Sequence, residues 1–280
     1  MSAPTAAQAM AAATARLRAA GVPDPARDAR VLLAHAASVD AARVTLIAPE
    51  EIAPEIAERF EHLVSLRAVR VPVSQLVGVR AFYGRDFAIS RDVLDPRPET
   101  ETLIEEALTG PFDRLLDLGT GSGCILVTLL AEAPEAQGVG VDLSEAACLQ
   151  ASANAVRHDV AARARIVQSD WFSAVEGRFD LIAANPPYLA AAEMAGVAPE
   201  LRDHEPRMAL TDGADGMSVY RLIAAQAQGY LTTGGRVLVE IGWQQGDAVQ
   251  QIFAQAGWAD VRLIHDLGGK PRVICAQGPA

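Results

Sequence analysis

The sequence predicts a doubly wound α/β sheet that follows a small helical region, and three observations indicate this fold class. From residue 113 onward, short apolar runs alternate with segments of helical periodicity. A glycine-rich turn joins the first of these runs to the helix that follows it. Residues 1–70 instead carry apolar positions at helical spacing. Strands that alternate with helices in this way predict a parallel sheet with helices on both faces.

The amino-terminal segment, residues 1–75, is predicted to be a small helical domain. Helices are expected over residues 7–20, from a cap at Asp24 through residue 35, and from residue 54 through residue 64. The alanine-rich start lacks a basic region before its apolar part, which favours a helix over a signal peptide. No chemical motif occurs here, so we expect this domain to pack against or recognise another surface.

Residues 76–96 change character and predict a β-hairpin that links the two domains. Residues 81–89 alternate around Gly84, which suits the turn of a hairpin. The catalytic domain is then expected over residues 97–280, beginning with a helix that starts near Pro98 and runs to about residue 108.

The remaining elements of the catalytic domain follow in regular alternation. We expect one antiparallel strand at the end of an otherwise parallel sheet. The predicted strands span residues 114–118, 139–142, 164–167, 180–184, 236–241, 261–265 and 272–276. The predicted helices span residues 124–131, 144–156, 217–231 and 245–256.

Composition excludes several classes of protein. No apolar run reaches the roughly 18 residues that a membrane span needs. The three cysteines are far apart in the sequence, which predicts a reducing, cytoplasmic location with neither a disulfide framework nor a metal site. A net charge of −11 argues against stable binding to a nucleic-acid backbone. We expect a monomer.

A candidate cofactor site lies at the glycine turn. Its spacing is Gly-x-Gly-x-Gly, and Asp117 precedes the turn within the strand. Asp142 ends the second strand, 23 residues after Gly119, and a carboxylate there accepts both hydroxyls of a ribose. Glycines allow the backbone to approach a ligand closely. The candidate cofactor-binding residues of these two strands are Gly119, Thr120, Gly121, Ser122, Gly123 and Asp142.

A second candidate site follows the strand that ends at residue 184. Two consecutive prolines fix two φ angles and remove two backbone donors, and the residue before them is held extended. An amide oxygen, free proline carbonyls and an aromatic ring together suit a planar NH2 group. The residues of this site are Asn185, Pro186, Pro187 and Tyr188.

With the acid before the glycine turn, the pattern resembles class I S-adenosylmethionine-dependent methyltransferases. The resemblance implies that the glycine turn lies beside the methionine end of the cofactor, where Asn185 also belongs. It further implies that Asp170 and Trp171, after the third strand, lie against the adenine. The expected product is S-adenosylhomocysteine.

The chain more closely resembles the PrmC/HemK family of protein-(glutamine N5) methyltransferases. The resemblance covers nearly the whole chain and rests on an ordered set of motifs. One departure is Asp95, where the family pattern favours an apolar residue. The motifs are Pro-Arg-Pro-Glu-Thr-Glu at 96–101, Asp-Leu-Gly-Thr-Gly-Ser-Gly at 117–123, Ser-Asp-Trp-Phe at 169–172, Asn-Pro-Pro-Tyr at 185–188, His-Glu-Pro-Arg at 204–207, Ala-Leu at 209–210, Gly-Ala-Asp-Gly at 213–216 and Glu-Ile-Gly at 240–242.

The resemblance implies a substrate and roles for the second site. Family members methylate the glutamine of the Gly-Gly-Gln loop in class I peptide chain release factors, and the helical domain is expected to recognise that partner. The Asn185 side-chain oxygen and the Pro186 carbonyl are implied to accept the two N–H groups of the glutamine amide. Tyr188 is implied to pack on the amide plane. Roles for Arg97, Glu205 and Glu240 stay open.

Two other functions remain as alternatives. An adenine-N6 nucleic-acid methyltransferase presents the same kind of exocyclic NH2 group after base flipping, although the acidic charge and lack of a basic stripe count against it. A non-catalytic partner protein that only binds the cofactor is the other alternative, and the joint presence of Asn185, Asp142 and the glycine turn argues against it.

Overall fold

The structure is a computed structural model that describes residues 4–278. The chain divides into two units, and the boundary falls between Val79 and Arg80. Each unit has its own buried apolar core. The predicted domain bounds, at residues 75 and 96, stay a prediction beside this observed boundary. None of the helices within residues 4–278 combines the length and the apolar character that a membrane crossing requires.

The first unit is helical, as the sequence predicts. Its first helix is capped by Thr5, whose hydroxyl accepts from the Gln8 amide at 3.3 Å, while the Gln8 side chain accepts from the Thr5 amide at 2.9 Å. Asp24 occupies the N-cap position of the second helix, as predicted, but its side chain makes no capping hydrogen bond, and Pro25 follows at the first helical position. The helices are α1 (Ala6–Ala19), α2 (Pro25–Ala37), α3 (Val44–Ile47), α4 (Pro54–Ala68) and α5 (Val73–Val77).

The core of this unit forms where apolar stripes of three helices meet. Leu17 of α1, Leu32 and Leu33 of α2, and Phe60 and Val64 of α4 are all buried. Buried residues recur at intervals of three or four, as at Ala13 and Leu17, at Ala29 and Leu33, and at Phe60 and Val64, which places them on one face of each helix. The unit therefore folds around the stripes that the sequence shows.

The hairpin packs on the second unit. Its strands are β1 (Val79–Phe82) and β2 (Arg85–Ala88), and the Phe82 and Phe87 rings meet edge to face with centroids 6.0 Å apart. Both rings belong to the core beneath the main sheet. The Asn154 side chain also exchanges two hydrogen bonds with the Ala88 backbone, at 2.8 and 3.0 Å.

The second unit is built on a seven-stranded sheet with the order β5-β4-β3-β6-β7-β9-β8. Strands β3 to β7 run parallel, whereas β9 pairs antiparallel with both β7 and β8. The predicted antiparallel strand is confirmed as β9, and it lies inside the sheet, between β7 and β8. The strands are β3 (Arg114–Leu118), β4 (Gln137–Asp142), β5 (Ala164–Gln168), β6 (Phe179–Ala184), β7 (Leu231–Glu240), β8 (Ala259–His265) and β9 (Pro271–Gln277).

Helices cover both faces of this sheet. Alternate strand residues point to opposite faces, so Leu115 and Leu181 lie in one core whereas Leu116 and Ile182 lie in the other. The helices are α6 (Glu101–Ala107), α7 (Cys124–Glu132), α8 (Glu145–Arg157), α9 (Pro199–His204), α10 (Arg207–Leu210), α11 (Ser218–Gln226) and α12 (Gly246–Gln255). Short 3-10 turns precede α6 at Pro98–Thr100 and follow α11 at Ala227–Tyr230.

One boundary differs from the sequence-based expectation. The helix predicted over residues 217–231 ends at Gln226, and the strand predicted from residue 236 begins at Leu231. Thr232 holds this earlier strand segment to β6, because its hydroxyl donates to Asp180 Oδ1 at 2.7 Å. Two glycines at 234 and 235 interrupt the apolar alternation, which hides the first half of the strand in the sequence.

Candidate active site

A cleft of about 320 Å³ opens above the carboxyl ends of β3, β4 and β6. These strands are neighbours in the sheet, and Leu118 pairs with Val141 on one side and Ala184 on the other. The residues that follow the three strands therefore meet at one edge, which is where open α/β sheets bind ligands. The cleft is lined by residues from three of these segments, among them Gly119, Thr120, Gly121, Ser122, Asp142, Leu143, Asn185 and Pro187.

The glycine turn forms the floor of the cleft. Gly119, Gly121 and Gly123 all have positive φ, at 70°, 55° and 80°, which side chains with a Cβ adopt at a cost. A Cβ on Gly119 would stand 3.6 Å from the Trp171 ring. The missing side chain thus leaves open the space between the turn and the indole. Gly123 does not line the cleft but begins α7 behind it.

Asp117 braces the turn from below. Its Oδ2 accepts from the Thr120 hydroxyl at 2.6 Å and from the Leu126 amide at 3.3 Å. Burial raises the pKa of Asp117 to about 7, against the lowering effect of these two hydrogen bonds. Asp117 therefore acts on the shape of the turn, which lies between it and the cleft.

Asp142 lies on the wall of the cleft. Its carboxylate accepts from the Gly121 amide and from the Ser144 amide, each at 2.9 Å and each on a different oxygen. A carboxylate has about four acceptor positions, so capacity for two hydroxyl donors remains. Asp142 thus lines the cleft with acceptor capacity to spare, and its contact with a ribose stays a prediction.

Of the two residues predicted beside the adenine, only Trp171 lines the cleft. Its backbone has a positive φ of 48°, and the Ser169 hydroxyl donates to its carbonyl at 2.9 Å. This conformation, uncommon for a bulky residue, turns the indole toward Gly119. Asp170 is exposed and does not line the cleft. Its contact with the cofactor stays a prediction.

The Asn-Pro-Pro-Tyr segment divides between the cleft and the core. Asn185 and Pro187 line the cleft, whereas Pro186 is buried and Tyr188 packs against the core beneath α11 and α12. Burial raises the pKa of Tyr188 to about 12, so its hydroxyl is neutral at physiological pH. Gln245 fixes the end of the segment by donating to the Tyr188 carbonyl at 2.8 Å.

The Asn185 carboxamide is oriented by Thr100. Its Nδ2 donates to the Thr100 hydroxyl oxygen at 3.2 Å, which leaves Oδ1 as the free acceptor of the amide. Thr100 lines the cleft and is only 1% exposed. The sequence analysis missed Thr100 as a site residue, although it lies within the motif at 96–101 that carries the family resemblance.

Two family models match the chain. The PrmC N-terminal domain matches residues 8–78, and the methyltransferase small domain matches residues 87–214. A release factor glutamine methyltransferase of Cereibacter sphaeroides is 54% identical over 98% of this chain and 99% of its own length. One of Rhodospirillum rubrum is 41% identical over 94% of this chain and 82% of its own length.

Solved structures show the same fold at low identity. A methyltransferase from Pyrococcus furiosus has a TM-score of 0.54 at 18% identity, over 71% of this chain and 92% of its own. The hMettl16 catalytic domain, solved with an RNA hairpin, has a TM-score of 0.59 at 14% identity over 78% and 82% of the two chains.

Together the sheet, its inserted antiparallel strand and the cleft above the parallel strands define a class I methyltransferase. This class takes its methyl group from S-adenosylmethionine, and the cleft offers groups that fit it: a carboxylate for the ribose, an indole and an open glycine turn. At 54% identity over almost the full length of both proteins, the chain belongs to the release factor glutamine methyltransferase family. The predicted family is thus confirmed.

Proposed function

We propose that this enzyme methylates the side-chain amide nitrogen of a glutamine in a class I peptide chain release factor. The names of its relatives support this substrate. The structural observation that carries the proposal is the Asn185 carboxamide, whose NH2 group is bound to Thr100 while its oxygen stays available in the cleft. An oriented amide acceptor suits a substrate that presents N–H groups.

The amide nitrogen of glutamine is a poor nucleophile, because its lone pair is delocalised into the carbonyl. Asn185 Oδ1 accepts one of its N–H groups and the Pro186 carbonyl accepts the other. These bonds orient the nitrogen toward the methyl donor and favour the positive charge that develops on it. Tyr188 lies outside the cleft lining and packs against the core, so its contact with the amide plane stays a prediction. The methylated nitrogen then loses one proton to solvent, since a protonated amide is strongly acidic.

Gly119, Thr120, Gly121 and Ser122, together with Asp142 and Trp171, would hold the cofactor beside this site. Bound there, S-adenosylmethionine would supply the methyl group, with S-adenosylhomocysteine as the product. The chain contributes position and hydrogen-bond acceptors rather than a general base. The Tyr188 hydroxyl does not serve as a base, because its pKa is about 12.

The proposed partner fits the charge and the two-unit organisation of the chain. A net charge of −11 disfavours nucleic acid as the substrate, and a protein substrate can present its loop to the cleft of the second unit. We assign recognition of the release factor to the predicted helical domain, residues 1–75, most of which falls within the match to the PrmC N-terminal domain over residues 8–78. Release factors act in translation, so we place the enzyme in the cytoplasm.

The decisive experiment is methyl transfer from labelled S-adenosylmethionine to three acceptors in parallel. These are a purified class I release factor, its Gly-Gly-Gln→Gly-Gly-Ala variant, and adenine-containing DNA. Label on the wild-type factor alone supports the proposal. Label on DNA alone overturns the substrate and leaves the fold and cofactor unchanged.

The Asn185→Ala variant tests the role of the amide. We expect it to bind S-adenosylhomocysteine normally and to lose roughly ten- to a hundredfold in kcat, because each hydrogen bond to a developing charge contributes about 1.5–3 kcal/mol. Retention of the wild-type kcat would remove Asn185 from the mechanism. Titration calorimetry with S-adenosylhomocysteine is the control for an intact cofactor site.

A further inference from the structure

We propose that Trp243 is a specificity-determining residue that binds the polypeptide main chain beside the target glutamine. This inference rests on the proposed function, since it takes the acceptor glutamine to lie at Asn185 in the cleft. Trp243 is 51% exposed, although tryptophan is highly buried on average in folded proteins. Trp243, Leu267 and Lys270 together are called the indole surface below.

The strand order places the indole surface on the side of Asn185 that faces away from the proposed cofactor residues. Those residues lie at the ends of β3, β4 and β5, whereas Asn185 follows β6. Trp243 follows β7, the neighbour of β6 on the other side. The turn over residues 266–270 follows β8, which runs parallel to β7 because both pair antiparallel with β9. A polypeptide that enters from this side reaches Asn185 across the indole surface.

Gln245 ties the backbone next to Trp243 to the Asn-Pro-Pro-Tyr segment. Its Nε2 donates to the Tyr188 carbonyl at 2.8 Å, and its Oε1 accepts from the Gly242 amide at 3.0 Å. A Cβ at Gly242 would also stand 3.4 Å from Tyr188 Cδ2, so the two segments lie in contact. The Trp243 backbone is therefore held at a fixed position relative to the site of the glutamine.

Lys270 orients the exposed ring. Its Nζ lies over the Trp243 ring, 5.7 Å from the centroid, which is within the range of a cation–π interaction. The turn that carries Lys270 is closed by the Asp266 amide, which donates to the Lys270 carbonyl at 2.9 Å. The same turn presents Leu267, whose side chain is fully exposed. The indole surface thus offers apolar contact together with an ammonium donor for a main-chain carbonyl.

The occupant we infer is the main chain beside the glutamine, which in the proposed Gly-Gly-Gln acceptor consists of glycines. Glycine has no Cβ, so its backbone can approach an aromatic ring closely. Tryptophan is also enriched among the residues that contribute most to binding at protein interfaces. Stacking of a nucleic-acid base and pairing of two copies of this chain are the other occupants, and the tests distinguish them.

The first test separates substrate docking from chemistry. Trp243→Ala should raise KM for the release factor about tenfold or more, as for an aromatic residue at the centre of an interface. Its kcat and its Kd for S-adenosylhomocysteine should stay at the wild-type values. Trp243→Phe keeps an aromatic ring and should hold KM within about threefold of wild type.

Leu149→Ala is the matched control for this test. Leu149 on α8 is 66% exposed and does not line the cleft, so its truncation should leave KM unchanged. An unchanged KM for Trp243→Ala, or an equal rise for Leu149→Ala, would overturn the inference.

The second test needs no turnover, because Lys270 is the only lysine in the sequence. An amine-acylating reagent in large excess modifies Lys270, and mass spectrometry of the peptide that contains it measures the rate. A saturating release factor should slow this acylation about fivefold or more, since interface contacts exclude solvent from the central residues. S-adenosylhomocysteine alone should not slow it. Acylation at the same rate with and without the release factor would contradict the proposed docking.

Two results would assign the indole surface to another occupant. Stronger protection of Lys270 by adenine-containing single-stranded DNA than by the release factor would indicate base stacking. A wild-type dimer in sedimentation analysis that becomes monomeric in Trp243→Ala would indicate a second copy of the chain. Either result overturns the inference. If wild type transfers no methyl group to the release factor, the proposed function fails. If it does so and Trp243→Ala keeps the wild-type KM, only the role of Trp243 fails.

Discussion

Arg97 Nη2 donates to both oxygens of the Glu205 carboxylate, at 2.5 and 2.7 Å. The Glu205 side chain is 1% exposed and that of Arg97 is 27% exposed. Asp95, the departure from the family pattern, lies 3.9 Å from Arg97 Nη1 and 3.7 Å from Arg80. The pair thus joins the segment before α6 to the segment between α9 and α10, and residues of both segments line the cleft.

Removal of Arg97 should destabilise the second unit. Arg97→Met leaves Glu205 buried without its hydrogen-bond donor, and we expect a loss of about 3 kcal/mol in the free energy of unfolding. The double variant Arg97→Met with Glu205→Leu also removes the unpaired carboxylate of Glu205. It should therefore recover part of the lost free energy of unfolding. Urea denaturation of both variants measures the difference. A double variant no more stable than Arg97→Met would contradict this account of the pair.

Gly216 fixes the distance between its own loop and the Asn-Pro-Pro-Tyr segment. A Cβ at Gly216 would lie 2.4 Å from the Tyr188 carbonyl oxygen and 3.0 Å from the Ala190 amide nitrogen. Both are backbone atoms, so the segment itself must move. We expect Gly216→Ala to lower the stability by about 1–3 kcal/mol beyond the strain at positive φ, and to lower kcat as Tyr188 shifts.

The matched control for this prediction is Gly213→Ala. Gly213 has nearly the same φ, 75° against 74°, but nothing lies within 4 Å of its Cβ position. It therefore carries the backbone strain alone, about 1 kcal/mol. Thermal unfolding and kcat are measured for both variants. Equal effects in the two would show that the close approach to Tyr188 has no consequence.

Asp142 should control cofactor affinity. Asp142→Ala removes the acceptors for the ribose and also releases the Gly121 and Ser144 amides. We expect the Kd for S-adenosylhomocysteine to rise about ten- to a hundredfold, the range for lost hydrogen bonds to a charged group. Glu176→Ala, an exposed acid with a side chain that is 82% accessible, gives the charge-matched control. Titration calorimetry that finds the same Kd for Asp142→Ala and wild type would contradict this role.

The buried Glu240 should make stability depend on pH. Burial raises its pKa from 4.5 to about 7, so between these values the unfolded chain releases the proton while the folded chain keeps it. The folded state then binds more protons, and stability falls as pH rises. Relative to Glu240→Gln, wild type should lose about 3 kcal/mol from pH 4.5 to 7 and no more above that range. A pH-independent difference in urea unfolding between the two proteins would contradict the raised pKa.

The sequence predicts the sheet and the outline of the site because both depend on local signals. Strand β3 and its glycine turn are marked by apolar residues and by glycines within ten residues. Asn185 is marked by the two prolines after it, which hold it extended at the end of β6. The carboxyl ends of neighbouring parallel strands meet at one edge, so the contact between these motifs follows from the topology.

Side-chain contacts between residues that are far apart in the sequence have no such local signal. Thr100 meets Asn185 across 85 positions of sequence, and Arg97 meets Glu205 across 108. The sequence does not distinguish Thr100 from other nearby hydroxyl residues, or Arg97 from other nearby arginines, as the partner of these side chains. Only the folded structure shows that these two residues make the contacts. The side-chain direction of Asp170 is likewise set by the turn around Trp171. Trp171 has a positive φ of 48°, a conformation that the sequence does not indicate at a tryptophan.

The position of β9 also determines the order in which the sheet can be completed during synthesis. Strand β8 leaves the ribosome before β9, yet its sheet neighbour is β9 and not β7. Until β9 inserts, the growing chain exposes two open strand edges, one on β7 and one on β8. Such edges are the surfaces on which chains aggregate. A nascent enzyme that stalls before β9 therefore presents both edges at once, and we expect chaperone dependence to be greatest at that stage.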